Sequence, residues 1–268
     1  MRFALHRGEG FLLITGKPGT GKTTLVKELM SELEMTRYKI ATLVSTQLEA
    51  DDLLRSVAYA YDLPVETSNK ATVLYHLKNY MFRRYKRNLR TILIVDEAQD
   101  LPAPALEELR LLTNLEHDNK PLLQVFLVGQ PQLNDVLGSN AMEQLRQRIT
   151  VAARMEPLLL EEVEQYIRYR LSLVGWHNDP EINKDVFTFI HEYSQGIPRK
   201  INLICARLLL HGYVEDKHSL DLDDMATIAN ELAEEQLGMS HKIPIKKREP
   251  AVKELTENPV VRDISKLH

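Results

Sequence analysis

One cysteine, one tryptophan and no apolar run longer than a strand are the first things to notice in this sequence of 268 residues. The lone Cys205 excludes an intrachain disulfide and fits a reducing cytoplasm; on an apolar helical stretch it reads as a small core residue rather than a nucleophile. The longest apolar runs, 11–14, 92–95 and 125–128, are strand-sized, so nothing in the sequence spans a membrane. No long apolar stretch follows Met1 before Gly8, and no signal peptide is read there. A net charge of −4 argues against wholesale coating of nucleic acid. What remains, 44% hydrophobic and 27% charged, is an ordinary globular composition with core enough for one large domain or two modest ones.

The chain is organised around residues 11–24, FLLITGKPGTGKTT. Four apolar residues lead into a glycine-rich turn, and Lys-Thr-Thr then opens a segment with Leu25, Val26, Leu29 and Leu33 at helical spacing, which predicts a buried strand, a loop and a helix. Gly16, Gly19 and Gly21 leave the loop unhindered, so its backbone N–H groups can turn inward on phosphate oxygens while the helix N-terminus adds positive potential. Gly16-x4-Gly21-Lys22-Thr23 is the full phosphate-loop pattern, which makes Gly16, Lys17, Pro18, Gly19, Thr20, Gly21, Lys22, Thr23 and Thr24 the expected cradle for ATP. Lys22 is expected to reach the β- and γ-phosphates, and the Thr23 hydroxyl to ligate the accompanying Mg²⁺.

Four more strand-like stretches follow, 40–44, 91–95, 122–128 and 149–155, separated by helical patterns. Asp51 and Asp52 are expected to cap one helix and Asn69 another, Pro102 and Pro104 fit a first helical turn, and a helix is expected around 142–148. Alternating strands and helices predict an α/β domain over residues 1–156 with a parallel sheet of five strands covered on both faces. From residue 157 the alternation stops. Helical spacing over 158–174, 185–193, 199–210 and 221–237 predicts a small all-helical domain, 157–237, with Gly196 terminating its second helix. Residues 238–268 mix charges with Pro244, Pro250 and Pro259, the composition of a tail that is poorly ordered or ordered only against a partner. Two stretches are basic: the tail, and residues 76–90, where Lys78, Arg83, Arg84, Lys86, Arg87 and Arg90 occur without an acid.

Asp96-Glu97 at the exit of an apolar strand supplies the second half of a nucleotide-hydrolysing site. Asp96 is expected to hold Mg²⁺ through its water shell, and Glu97 to orient and polarise the attacking water. Gln130, at the end of the fourth strand, is placed to sense the γ-phosphate. Arg146 and Arg148 precede the fifth strand, where one of them, Arg148 by preference, can reach a neighbouring subunit's nucleotide as an arginine finger. Arg199, after Gly196-Ile197-Pro198, can lie over the γ-phosphate when the helical domain closes as a lid.

Together these residues resemble an AAA+ ATPase. Within that superfamily, Asp96-Glu97-Ala98-Gln99-Asp100, Leu127-Val128-Gly129-Gln130-Pro131, Leu145-Arg146-Gln147-Arg148 and Pro198-Arg199-Lys200-Ile201-Asn202 are similar to the general-secretion-pathway A-type ATPases. Val44-Ser45-Thr46-Gln47-Leu48, Asp51-Asp52-Leu53-Leu54-Arg55, Gly175-Trp176 and Leu208-Leu209-Leu210 add a finer likeness to the secretion ATPase of exosortase loci. The resemblance implies a sheet in which the Gln130 strand separates the Asp96 strand from the phosphate-loop strand. It also implies an enzyme that hydrolyses ATP with Mg²⁺ as a homo-oligomeric ring or filament; the expected location is the cytoplasm, with a peripheral place at the inner membrane left open. Its partners would be envelope secretion or polysaccharide-export proteins. The alternative is a DNA-associated AAA+ ATPase similar to transposition helpers. Ten residues precede Phe11, fewer than the family implies, which suggests a truncated start or a weakened hold on the base. The membrane span and wall-binding region of the secretion-pathway relatives have no counterpart in the sequence.

Overall fold

The computed structural model describes residues 10–33, 37–44, 48–66 and 69–237. Its centre is a sheet of five parallel strands: β1 (Phe11–Gly16), β2 (Tyr38–Val44), β3 (Arg90–Asp96), β6 (Gln124–Gly129) and β7 (Ile149–Met155), in the order β2-β3-β6-β1-β7. The interposition of β6 between β1 and β3 is the order that the resemblance implied. Two short strands, β4 (Glu116–His117) and β5 (Lys120–Pro121), form a hairpin ahead of β6.

Alternate side chains of the inner strands enter different cores, as a pleat requires. Leu12, Ile14, Ile92, Ile94, Phe126 and Val128 pack with Val26, Leu29 and Met30 of helix α1 (Lys22–Ser31). Phe11, Leu13, Leu93, Val95, Val125 and Leu127 face the opposite way. There they meet α2 (Ala50–Ala60), α3 (Lys70–Tyr85) and α4 (Ala103–Leu112), with the short α5 (Gln132–Gly138) and α6 (Glu143–Arg146). Burial on both faces explains why these strands read as unbroken apolar runs. Tyr61, 1% exposed, sits in the second core and donates from its hydroxyl to the carbonyl of Ile92 at 2.8 Å. Burial pushes its phenol well above the ordinary value.

The segments differ from expectation in small, explicable ways. Asp51 and Asp52 do not cap α2: Glu49 is the N-cap, no side chain closes the turn, and the two aspartates lie in the first turn, where their charge suits the helix dipole. Asn69 does cap α3, its side chain accepting from Thr72 N–H at 2.9 Å. The helix expected around 142–148 is a 3₁₀ turn, Asn140–Met142, followed by the single turn of α6, so Arg148 lies beyond the helix rather than on it.

After β7 the chain is helical: α7 (Leu160–Ser172), α8 (Lys184–Ser194), α9 (Pro198–Val214) and α10 (Leu222–Leu237). They share a core of their own, with Val163, Ile167, Val186, Phe187, Ile190, Ile201, Ile204, Leu208, Ile228 and Leu232 among its buried members. A parallel pair of two-residue strands, β8 (Glu181–Ile182) and β9 (Ser219–Leu220), which alternation alone does not signal, ties the starts of α8 and α10 together. Helix α8 ends on two consecutive left-handed residues, Gln195 and Gly196, so the stop begins one residue before the expected glycine. The proposed tail, residues 238–268, lies outside the described residues.

Candidate active site

Because all five strands run the same way, their C-terminal ends share one edge, and the functional candidates come from the segments that leave it. β1 exits into the phosphate loop, β3 into Asp96-Glu97 and β6 into Gln130.

The loop is built around its lysine. Lys22 is 6% exposed and donates from Nζ to the carbonyls of Gly16 at 2.9 Å and Lys17 at 3.2 Å. The ammonium is thus held inside the turn, at the N-terminus of α1, by neutral acceptors that a more strongly attracting anion can replace. Thr20, also buried, donates to the carbonyl of Lys17 at 2.8 Å and stiffens the same turn. Gly19 and Gly21 have φ of +81° and +95°, backbone that a side chain adopts only under strain. Lys17, Pro18, Thr23 and Thr24 are exposed along the loop and first turn.

Thr23 and Asp96 meet although β1, which leads into α1, and β3 are not neighbours. The Thr23 hydroxyl donates to Asp96 Oδ2 at 3.0 Å, because α1 packs over β6 and brings its first turn to the end of β3. Asp96 Oδ1 accepts from Glu97 N–H at 3.0 Å, which fixes the carboxylate. Two adjacent hard oxygen donors beside an anion-binding loop fit a Mg²⁺ that keeps most of its waters. Bound there, the metal neutralises charge on the phosphates, and the residues themselves supply its placement.

Glu97 leaves the strand with φ of +52°, in the left-handed region, before the 3₁₀ turn Ala98–Asp100. Its Oε2 accepts from Gln99 Nε2 at 2.8 Å and from Gln130 Nε2 at 3.3 Å. The structure therefore brings Glu97 and Gln130 together, and adds Gln99, which sequence reasoning quoted only as part of a family run. No periodicity or spacing marks Gln99. Asn134, also unmarked, donates to Thr15 Oγ1 at 3.3 Å just below the loop.

The arginines are placed otherwise. Arg146 donates from Nη1 to the carbonyls of Gly138 at 3.1 Å and Leu137 at 3.5 Å, closing the end of α5. Arg148 donates from Nη1 to Thr113 Oγ1 at 3.4 Å, and its own carbonyl accepts from Phe11 N–H at 2.9 Å. Both guanidiniums thus have partners within their own chain. Arg199 is exposed, yet its backbone N–H donates to the carbonyl of Gly19 at 3.2 Å, so the start of α9 rests on the phosphate loop.

Similarity to known proteins follows the same lines. Residues 5–137 match the family described as AAA domain. The chain is 37% identical over 234 residues to General secretion pathway protein A of Aeromonas hydrophila, covering 87% of this chain and 42% of that protein. It therefore spans less than half the length of that relative. Among solved structures, the ADP form of the Aeropyrum pernix ORC2 protein superposes with a TM-score of 0.64 at 16% identity, covering 86% of this chain and 66% of that one. Drosophila ORC bound to DNA gives 0.63 at 16% identity, covering 85% and 56%. Just under half of the chain thus matches the AAA domain, and over most of its length the fold is that of the ORC structures.

Proposed function

We propose that this chain is an AAA+ ATPase, using ATP and Mg²⁺, that serves as a motor or switch for an envelope-export system, of the kind found in exosortase or polysaccharide-export loci. In this reading the phosphate loop and Lys22 grip the triphosphate, Thr23 and Asp96 hold Mg²⁺, Glu97 orients the attacking water, and Gln130 senses the γ-phosphate. The helical residues 157–237 act as a lid on residues 1–156, with Arg199 at the γ-phosphate. The single observation that carries the reading is the 3.0 Å contact of Thr23 with Asp96 across β6, beside the buried Lys22. It joins the two halves of a metal-nucleotide site that lie more than seventy residues apart in sequence. The likeness to a general secretion pathway protein supports the export role. Among the described residues no helix is long and apolar enough to cross a membrane. The proposed workplace is the cytoplasmic face of the inner membrane, with the partner export proteins supplying the anchorage.

Subunit association belongs to the proposal, with Arg148, or Arg146, exchanging its in-chain partner for the phosphate of an adjacent subunit's nucleotide. The test is phosphate release with ATP and Mg²⁺, measured against protein concentration, for wild type, Glu97→Gln, Arg148→Ala and a mixture of the two variants. Shared sites give a specific activity that rises with concentration and partial recovery in the mixture. Full activity in dilute monomer with no recovery removes the shared site. In cells, Glu97→Gln should block export of the cargo while the protein still accumulates; normal export removes the role.

A second reading, a DNA-associated ATPase, is favoured by the exposed Lys78 and Arg83 on α3, Lys86 and Arg87 in the turn that follows it, and Arg90 at the start of β3. Duplex binding that falls steeply with salt supports it, and no binding at about 50 mM salt removes it.

A further inference from the structure

Glu97 is the residue whose exact placement matters most to water attack, yet its own backbone is strained and its carboxylate is anchored by side chains from two different strand exits. We infer that Gln99 is the positioning residue for this carboxylate, coupling it to the end of β6. The inference rests on the reading of Glu97 as the water-orienting group.

The side-chain amide of Gln99 is used at both ends. Its Oε1 accepts from Gln130 N–H at 2.9 Å, and its Nε2 donates to Glu97 Oε2 at 2.8 Å. These two bonds fix which way the amide points. Turned over, it would set an NH₂ against the N–H of Gln130 and an oxygen against the carboxylate. The approach is close: a Cβ at residue 129 would fall 2.7 Å from Gln99 Oε1, so the strand end accepts the amide because Gly129 carries no side chain. The left-handed backbone of Glu97 turns the chain off β3, and the short 3₁₀ turn then sends Gln99 back over β6.

Asp96 cannot take this role, since its Oδ1 accepts from Glu97 N–H and its Oδ2 from Thr23. Gln130 shares it, because its Nε2 reaches the same Glu97 oxygen at the longer distance of 3.3 Å. Both amide donors converge on Oε2, which restricts rotation of the carboxylate and leaves Oε1 for the water. The same network carries movement at the Gln130 sensor directly to the carboxylate through a single side chain. Gln99 touches neither nucleotide nor water in this scheme; it acts through Glu97.

Three variants and two measurements test it. Gln99→Ala removes both bonds. It should lower kcat about 10- to 100-fold, as misplacement of a reacting group does, with KM for ATP within about twofold. It should also speed hydrogen exchange of the Gln130 amide in nucleotide-free protein. Gln99→Glu keeps the length and the acceptor for Gln130 N–H but turns an oxygen toward Glu97. It should lower kcat comparably while Gln130 exchange stays at the wild-type rate, and it decides the matter should Gln99→Ala fail to fold. Wild-type kcat in Gln99→Glu, or a Gln99→Ala that alters only KM or melting temperature, overturns the inference. Glu97→Gln separates the two levels. If it is inert while the Gln99 variants turn over normally, only the positioning role falls. If Glu97→Gln itself turns over normally, the role assigned to Glu97 falls and the positioning role with it.

Discussion

Two glycines of the phosphate loop have similar backbones and different surroundings, and replacing each with alanine separates strain from contact. Gly19 has φ of +81° and Gly21 φ of +95°. An L-residue in left-handed backbone costs about 1–2 kcal/mol, so each substitution incurs roughly that much. A Cβ on Gly21 meets nothing within 4 Å, and Gly21→Ala should stop there. A Cβ on Gly19 falls 2.9 Å from Arg199 Cβ and 3.0 Å from Ile197 Cγ2, where α9 begins. Neither neighbour is the free end of a long side chain, so the start of α9 must retreat, at the cost of about 1–3 kcal/mol typical of overpacking. Gly19→Ala should therefore exceed Gly21→Ala by about 1–3 kcal/mol in urea unfolding, or several degrees in melting temperature at roughly 2–4 °C per kcal/mol for a domain of this size. The retreat also breaks the bond from Arg199 N–H to the Gly19 carbonyl, so exchange of the Arg199 amide should accelerate in Gly19→Ala alone. Equal destabilisation by the two substitutions, with Arg199 exchange unchanged, would refute the packing of α9 on the loop.

Other expectations test separate parts of the structure. Asp96→Ala should leave nucleotide affinity in EDTA within about twofold and abolish the tightening caused by Mg²⁺, whereas Lys22→Ala should weaken binding in both conditions by about 10- to 100-fold, the worth of a hydrogen bond to a charged group; titration of a fluorescent ATP analogue distinguishes them. Asp224, 2% exposed, is pushed up by burial, but its bonds to Lys217, Asp221 N–H and His211 prevail and hold its carboxyl below the ordinary range. Its stabilising contribution is therefore complete above about pH 4, the ordinary unfolded value, and is lost as pH falls through the depressed folded value; Asp224→Asn should cost about 2–3 kcal/mol at pH 7, and the difference from wild type should vanish on acidification in urea titrations. Cys205, whose thiol burial pushes up to about 12, should resist alkylation at pH 8 in the folded protein and react on unfolding.

The layered α/β body was legible because periodicity and punctuation agree there. Residues 11–24 announce strand, loop and helix, and each inner strand is apolar on both faces because both faces are buried. Strand order was not legible from periodicity: nothing in residues 90–96 or 124–129 says which lies beside β1, and only the family resemblance supplied it. The loop lysine, Thr23 and Asp96 were readable because each motif carries its chemistry within a few residues. Gln99 was not, because its meaning comes from Gln130 N–H, thirty-one positions away. The caps show the same limit. Asn69 closes its helix as expected, while Asp51 and Asp52 do not, since the chain enters α2 from Glu49 and places both aspartates inside the first turn.

The contacts around Gly196 connect the helical part to the nucleotide loop more tightly than their count suggests. Leu158, in the segment that leaves β7, donates from its N–H to the Gly196 carbonyl at 2.8 Å, and a Cβ on Gly196 would lie 2.1 Å from the Leu158 carbonyl oxygen. That connection and the turn before α9 are therefore in direct backbone contact. The same turn continues into Pro198, which fixes the direction of α9, and into Arg199, whose N–H bonds to Gly19. Swinging the helices away from the loop must break the Arg199 bond or carry Gly19 with it. A single such bond is worth about 1 kcal/mol net, so a ligand that favours one arrangement of α9 over the other by more than that shifts the balance between them. On the proposed reading of residues 157–237 as a lid, this bond is the contact through which the loop and α9 respond to one another.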